Sequence, residues 1–215
     1  MNRMLITAGP THEAIDAVRY IANRSSGRMG IAIAEAACDA GWDVTLLLGP
    51  TCEAPPERVR VVRFTSSDDL SRLLDVHFAT CDVLVMAAAV ADYRPARASS
   101  KKLPRGSGNL TLELTPTADL VRACAEKQQA HQRIVWFSLE DPALLDERAM
   151  QKLRRKKLDA IVANPLETMD SEHVAAKVLT ADGREHSPPQ GGTIDKQAFA
   201  KWLVEWIEKK LFPSQ

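Results

Sequence analysis

Four polar segments of this chain carry side chains whose types and spacing could do chemistry. The first is Gly9-Pro-Thr11, a tight polar turn directly after an apolar run. The second is Ser25-Ser-Gly-Arg-Met-Gly30, at the start of a helical pattern. Backbone N–H groups at a helix start point outward and favour anions, and the Ser25 and Ser26 hydroxyls, Gly27 and Arg28 would add donors and room for a phosphate. The same spacing also suits an ordinary capped helix with glycines for packing, and the residues alone leave both readings open. The third is Ala87-Ala-Ala-Val-Ala-Asp-Tyr93. Small residues let a ligand approach the backbone, and the Asp92 carboxylate at the end of the run suits a ribose hydroxyl or a base amine, or else a turn. The fourth is two basic groups: Arg97, Lys101, Lys102 and Arg105, and Lys152, Arg154, Arg155, Lys156 and Lys157. Cations of this kind neutralise charge that develops on a leaving pyrophosphate, although a run of charges is equally a solvated face.

Several chemistries are absent from the pattern. No G-x-G-x-x-G follows the first strand, and Leu48-Gly49-Pro50 stands where a dinucleotide ribose wants a carboxylate. No Tyr-x-x-x-Lys pair exists, since Tyr20 is followed by Arg24 and Tyr93 by Arg97. A nicotinamide-dependent oxidoreductase is therefore disfavoured. No G-x-S-x-G element argues for covalent hydrolysis. His12 with Glu13 and His173 with Glu172 are too isolated for zinc, so no protein metal site is expected. A Mg²⁺ held by phosphates and water would leave no signature. The four cysteines, Cys38, Cys52, Cys81 and Cys124, lack metal or redox spacing and read as small hydrophobes.

The elements that must position these groups follow from the apolar runs. Strands are expected at Met4 to Ala8, Val44 to Leu48, Val59 to Phe64, Asp82 to Ala89, Leu110 to Leu114, Ile134 to Ser138 and Ala160 to Ala163. Helices are expected at Gly27 to Ala40, Asp68 to Phe78, Asp119 to Gln129, Pro142 to Lys156 and Asp195 to Leu211. Ser25 or Ser26 is the expected cap of the first helix, and Gly41 its stop. Lys177 to Thr180 and Arg184 to Ser187 flank Asp182-Gly183, a hairpin signal. Gly9 to Ser26 reads as a polar loop. The basic stretch from Tyr93 to Asn109 reads as a flap, expected to be mobile.

This alternation predicts an α/β fold, a Rossmann-like doubly wound and mostly parallel sheet with a flap and a small C-terminal hairpin. Its 215 residues suffice for a single domain over 1–215 with the flap at about 93–109. The chain is 45% hydrophobic and 26% charged, and its 28 basic residues balance its 28 acidic ones. That balance argues against nucleic-acid or membrane-surface binding. With no signal peptide or spanning stretch, the expected location is cytoplasmic.

The stretch ITAGPTHEAIDAVRYIANRSSGRMGIAIAEAA, from Ile6 to Ala37, resembles the opening of phosphopantothenoylcysteine synthetase. So do AAAVADYRP from Ala87, Lys102-Leu103, LTLELTPTADLV from Leu110 and KLDAIVANPLE from Lys157. The resemblance covers nearly the whole chain, in order. It implies a ligase that joins 4′-phosphopantothenate to L-cysteine in coenzyme A biosynthesis. CTP or ATP, with Mg²⁺, would activate the carboxylate as an acyl-nucleotidyl intermediate and release pyrophosphate. It also implies a homodimer. By position it assigns Asn23 and Lys102 as catalytic, with Asn23 handling the acyl nucleotide and Lys102 closing over the triphosphate. It assigns Gly9, Thr11, Met86, Ala87, Ala88, Asp92, Ala118, Asp119, Leu120, Val121, Phe137, Lys152 and Lys156 to the nucleotide. Asn23, Ser25, Ser26, Gly27 and Arg28 fall to phosphopantothenate. Many bacterial members follow a flavin-dependent decarboxylase; this chain begins at its first strand, so no such domain and no flavin are expected.

Three stretches depart from the bacterial pattern. Lys-Ile-Lys-Lys is Lys102-Leu-Pro-Arg105, Gly-Phe-Ala-Ala-Glu-Thr is Trp136-Phe-Ser-Leu-Glu-Asp141, and Asn-Asp-Val-Ser is Asn164-Pro-Leu-Glu167. They leave CTP against ATP open and admit a non-catalytic nucleotide-binding homologue as the alternative.

Overall fold

The structure, a computed structural model, describes residues 2–169 and 171–212. Its strands, in chain order, are β1 (Arg3–Ala8), β2 (His12–Ala14), β3 (Tyr20–Ala22), β4 (Asp43–Leu48), β5 (Arg60–Arg63), β6 (Val83–Met86) and β7 (Tyr93–Pro95). Then come β8 (Leu114–Pro116), β9 (Arg133–Glu140), β10 (Ala160–Pro165), β11 (His173–Val174), β12 (Lys177–Thr180), β13 (Glu185–His186) and β14 (Ile194–Asp195). The helices are α1 (Arg28–Asp39), α2 (Ser67–His77), α3 (Leu120–Glu126), α4 (Leu145–Lys156) and α5 (Lys196–Leu211).

Eight strands form the central sheet in the order β13-β12-β10-β9-β6-β1-β4-β5. The six from β10 to β5 run parallel, and β12 and β13 close one edge antiparallel. The parallel strands are near-continuous Val, Leu and Ile because both faces are covered. On one face, α1 and α5 bury Ile33, Phe199 and Leu203 against Ile6 and Leu46. On the other, Leu70 of α2, Cys124 of α3 and Leu153 of α4 pack on Leu5, Leu84 and Ile161. The Rossmann-like expectation holds. The chain leaves β1 toward β4 and returns to β6 on the other side, so the topological switch lies between β1 and β6, where such sheets bind ligands.

Two glycines make the approach at that switch possible. Gly27, the N-cap of α1, has φ 78°, a left-handed conformation that costs a side-chain-bearing residue. A Cβ on Gly30 would stand 2.5 Å from the Ala8 Cβ, so α1 can lie this close to β1 only with glycine there. No side chain caps α1 at Gly27. The serine cap expected from the sequence is replaced by loop bonds: Gly27 N–H donates to Ser25 Oγ (3.3 Å) and Arg28 N–H to Ser26 Oγ (3.5 Å). The expected stop at Gly41 is present, with φ 88°.

Other boundaries move for identifiable reasons. The fourth expected strand is regular only over Val83–Met86; beyond it Ala87 to Ala89 still run beside β1, with Ala87 N–H on Thr7 O, Ala89 N–H on Gly9 O and an isolated parallel bridge between Ala89 and Pro10. The expected helix from Pro142 begins as a 3-10 turn, Pro142–Leu144, and becomes α-helical at Leu145. The expected strand at Leu110 to Leu114 is absent except for its last residue. Leu110 and Leu112 are exposed, and pairing with β7 starts only at Leu114. The segment read as a loop from Gly9 to Ser26 contains the β2–β3 hairpin, which contacts β7. Among the described residues, no helix is long and apolar enough to cross a membrane.

Candidate functional site

Two cavities open at the carboxyl ends of β1, β6 and β9, and they share walls. The first, about 160 Å³, is bounded by residues 24–30 and 87–89, with Asn164, Thr168 and Lys196 opposite. Here the first turn of α1 aims its backbone N–H groups at the space. Ser25, Ser26, Gly27 and Arg28 all line it, as the sequence suggested. Arg28 Nε donates to Glu53 Oε1 at 2.7 Å. Thr51 Oγ1 donates to Ser26 O at 2.6 Å, so the loop after β4 braces the cradle from behind.

The second cavity, about 620 Å³, lies on the β6–β9 side. Met86, Ala88, Asp92, residues 118–121, Phe137, Lys152 and Lys156 line it, together with Asn23. Ala87 lines the first cavity instead. Arg24, Ala88, Ala89 and Phe137 belong to both, so the two spaces are continuous around one wall. Asn23 lines the second cavity only, next to Arg24, which lines both, and its Nδ2 donates to Val90 O at 2.9 Å.

The two lysines of the second cavity are paired with carboxylates. Lys152 and Lys156 are four apart on α4 and so share its inner face. Lys156, only 8% exposed, donates to both Asp119 oxygens at 2.6 and 2.7 Å. Burial pushes the Asp119 carboxyl up, but the hydrogen bonds from Lys156 and from Arg122 N–H outweigh it and hold it below the usual value. Lys152 pairs with Glu140 and donates to Ser138 Oγ at 3.1 Å. Burial likewise pushes Glu140 up, and Lys152, Ser138 and Arg148 more than offset it. Both ammonium groups also stand over the Trp136 ring, Lys156 at 4.4 Å and Lys152 at 5.4 Å from its centroid.

Three expected residues stand elsewhere. Thr11 is fully buried, and its hydroxyl accepts from Ala91 N–H at 3.0 Å, so it shapes the 87–92 turn rather than facing a ligand. Gly9, with φ 80°, lines neither cavity and packs on Gly49. Lys102 is exposed and lines neither cavity. Its neighbour Leu103 is pinned to the β2–β3 turn by its N–H on Asp16 Oδ2 and by Arg19 Nη2 on Leu103 O, each 3.1 Å. Asp16 also pairs with Arg19, which holds its carboxyl far below the ordinary range despite burial.

Sequence reasoning missed the acidic partner Glu140, the Trp136 ring beneath both ammonium groups, and the brace at Thr51 and Glu53. The four-residue spacing of Lys152 and Lys156 is the one sequence signal that both cations would stand on one face of α4. Among the described residues, no group of three or more His, Cys, Asp or Glu side chains could hold a metal ion. Asp119 and Glu140 are committed to lysines, so a Mg²⁺ fits here as an ion brought in on a polyphosphate, with Asp92 the carboxylate at hand.

The fold is a doubly wound α/β domain with two adjoining cavities at its switch point. The comparisons with known proteins give the family. The family model for the DNA/pantothenate metabolism flavoprotein C-terminal domain matches residues 1–211, and the chain belongs to that family. It is 41% identical over 220 residues to the coenzyme A biosynthesis bifunctional protein CoaBC of Mycobacterium tuberculosis, covering 95% of this chain and 51% of that protein. It is 43% identical over 165 residues to a cysteine/cysteine sulfinic acid decarboxylase of an unknown prokaryotic organism, covering 76% of this chain and 46% of the other. The chain thus spans about half the length of these curated relatives. Among solved structures, the C-terminal domain of a CoaBC protein superposes with TM-score 0.83 at 35% identity, covering 99% of this chain and 97% of that one.

Proposed function

We propose that the chain is a ligase that joins 4′-phosphopantothenate to L-cysteine, using CTP or ATP with Mg²⁺. The observation that carries this reading is the junction of the two cavities: the serine-rich start of α1 and a lysine-lined chamber share a wall at Arg24, Ala88, Ala89 and Phe137, with Asn23 in the chamber beside Arg24. Kinship with CoaBC supports it.

In this reading the phosphate of phosphopantothenate sits on residues 25–28 and its carboxylate reaches the junction. The nucleotide fills the second cavity, with its triphosphate toward Lys152 and Lys156 and its sugar or base toward Asp92. A carboxylate oxygen attacks the α-phosphorus and pyrophosphate leaves, its charge taken up by the lysines. The cysteine amine then attacks the acyl carbon, forming the amide, losing a proton and releasing nucleoside monophosphate. The Asn23 amide orients the acyl oxygen for that attack. Lys102 joins the triphosphate only when its loop leaves Asp16 and Arg19.

A homodimer is part of the proposal. The contacting β2–β3 and β7–β8 hairpins present exposed Tyr20, Tyr93 and Leu114, with Val18 beside them, an apolar set that suits a second copy. A cytosolic setting is supported by the four cysteines, all free. The product test is direct: phosphopantothenate, cysteine, nucleotide and Mg²⁺ should yield a species with the summed mass of the two substrates less one water. Its absence with both nucleotides would sink the reading.

A further inference from the structure

We propose that Trp136 is a positioning residue: its indole is the platform that holds Lys152 and Lys156 on the wall of the chamber while they exchange carboxylate for phosphate. The proposal rests on the reading of this cavity as a triphosphate site, and goes on to say how its cations are kept in place.

The geometry is specific. Lys156 lies 4.4 Å and Lys152 5.4 Å from the centroid of the same ring. Trp136 lies on β9 and packs into the core on the α2, α3 and α4 side. A residue so held is a fixed surface, whereas a lysine has a long flexible stem. An ammonium over an aromatic face is attracted without using any of its three N–H donors. Those donors are therefore available to oxygen partners. In the present structure Asp119 takes two from Lys156, while Glu140 and Ser138 take those of Lys152. The carboxylates stand where an incoming polyphosphate would offer better-matched oxygens. Without the ring, displacement of Asp119 and Glu140 would release two rotamer-rich side chains, and the phosphate would have to order them again. With it, both heads stay in register during the exchange.

Leucine at 136 keeps an apolar side chain in the core and removes the π face, while phenylalanine keeps a face. The first measurement is calorimetric titration of the whole chain with inorganic tripolyphosphate and with CTP and ATP, without phosphopantothenate. Trp136→Leu should weaken tripolyphosphate and nucleotide about tenfold, which is about 1.4 kcal/mol. Trp136→Phe should recover most of that loss. Equal affinity in wild type and Trp136→Leu overturns the proposal, as does a phenylalanine variant no better than leucine. The second measurement needs no loss of fold. The other tryptophans, Trp42, Trp202 and Trp206, belong to the opposite face of the sheet. Tripolyphosphate should thus change the tryptophan fluorescence of the wild type and leave that of Trp136→Phe unchanged; a change of equal size in both overturns the platform. Neither titration requires the ligase reaction. Binding that depends on residue 136 in a protein that makes no amide would keep this inference and dismiss the ligase.

Discussion

Lys156→Met tests whether the chamber's buried cation serves a ligand or only the fold. The substitution keeps the stem and removes the charge. Lys156 makes two bonds to Asp119 and one contact with the Trp136 face. A hydrogen bond to a charged group contributes about 1.5–3 kcal/mol. If a phosphate takes over those bonds, the variant should bind nucleotide about 10- to 150-fold more weakly. Stability should fall less than for a sealed ion pair, whose broken partner costs about 3–5 kcal/mol. The Asp119 side chain is 43% exposed and water can reach it, so the expected loss is about 1–2 kcal/mol. Lys156→Met/Asp119→Asn removes the orphaned charge as well. It should regain most of the melting temperature and none of the affinity, because asparagine can still cap α3 through Arg122 N–H. Calorimetric titration and scanning calorimetry on the three proteins give both numbers. A Lys156→Met protein that melts lower yet binds nucleotide as tightly as wild type would refute the assignment and leave the pair purely structural.

Lys102→Gln should abolish pyrophosphate release, whereas Asn23→Asp should spare it and let acyl nucleotide accumulate, seen by rapid quench and mass analysis; wild-type turnover in both variants would displace both residues from the mechanism. Gly30→Ala should cost about 1–3 kcal/mol by overpacking, since its Cβ would meet the Ala8 Cβ at 2.5 Å, and Ala8→Gly/Gly30→Ala should restore part of that loss in urea unfolding. Cys52 is exposed, while burial pushes the Cys81 and Cys124 thiols up to about 12. A thiol-specific reagent at neutral pH should therefore modify Cys52 first and leave Cys81 and Cys124 until the protein unfolds. The raised thiols stabilise the fold fully below the ordinary thiol value of 9.0, and that contribution is lost as pH climbs toward about 12; a flat melting temperature across that window would contradict the burial.

Much of the fold was legible because parallel strands buried on both faces are written as apolar runs. Met4 to Ala8 and Val44 to Leu48 are such runs, and the glycine after α1 marked its stop. Strand and helix alternation pointed to the carboxyl ends of the strands, and the strand order of the structure puts the switch between β1 and β6. The β2–β3 hairpin was not legible, since its strands are three residues each, pair with each other outside the central sheet, and dock through polar bonds of His12 and Glu13 to the start of α2 rather than through an apolar run. The alternating leucines at 110 and 112 misled for the opposite reason: their period is that of a strand, but no partner strand meets them. In the site, small residues and a helix start marked segments that do line a cavity. The ion pairs stayed hidden because Asp119 lies 37 residues from Lys156, and nothing local in the sequence joins them. Lys102 was assigned by likeness, and likeness says nothing about where a loop rests; the bonds of Leu103 to Asp16 and Arg19 decide that.

The most direct test of the ligase reading is pyrophosphate release by the purified chain, with CTP and ATP in parallel and Mg²⁺ present. The account predicts release that requires 4′-phosphopantothenate, with the ratio of the two rates giving the base preference. No release with either nucleotide from folded protein, or release that ignores phosphopantothenate, would contradict it.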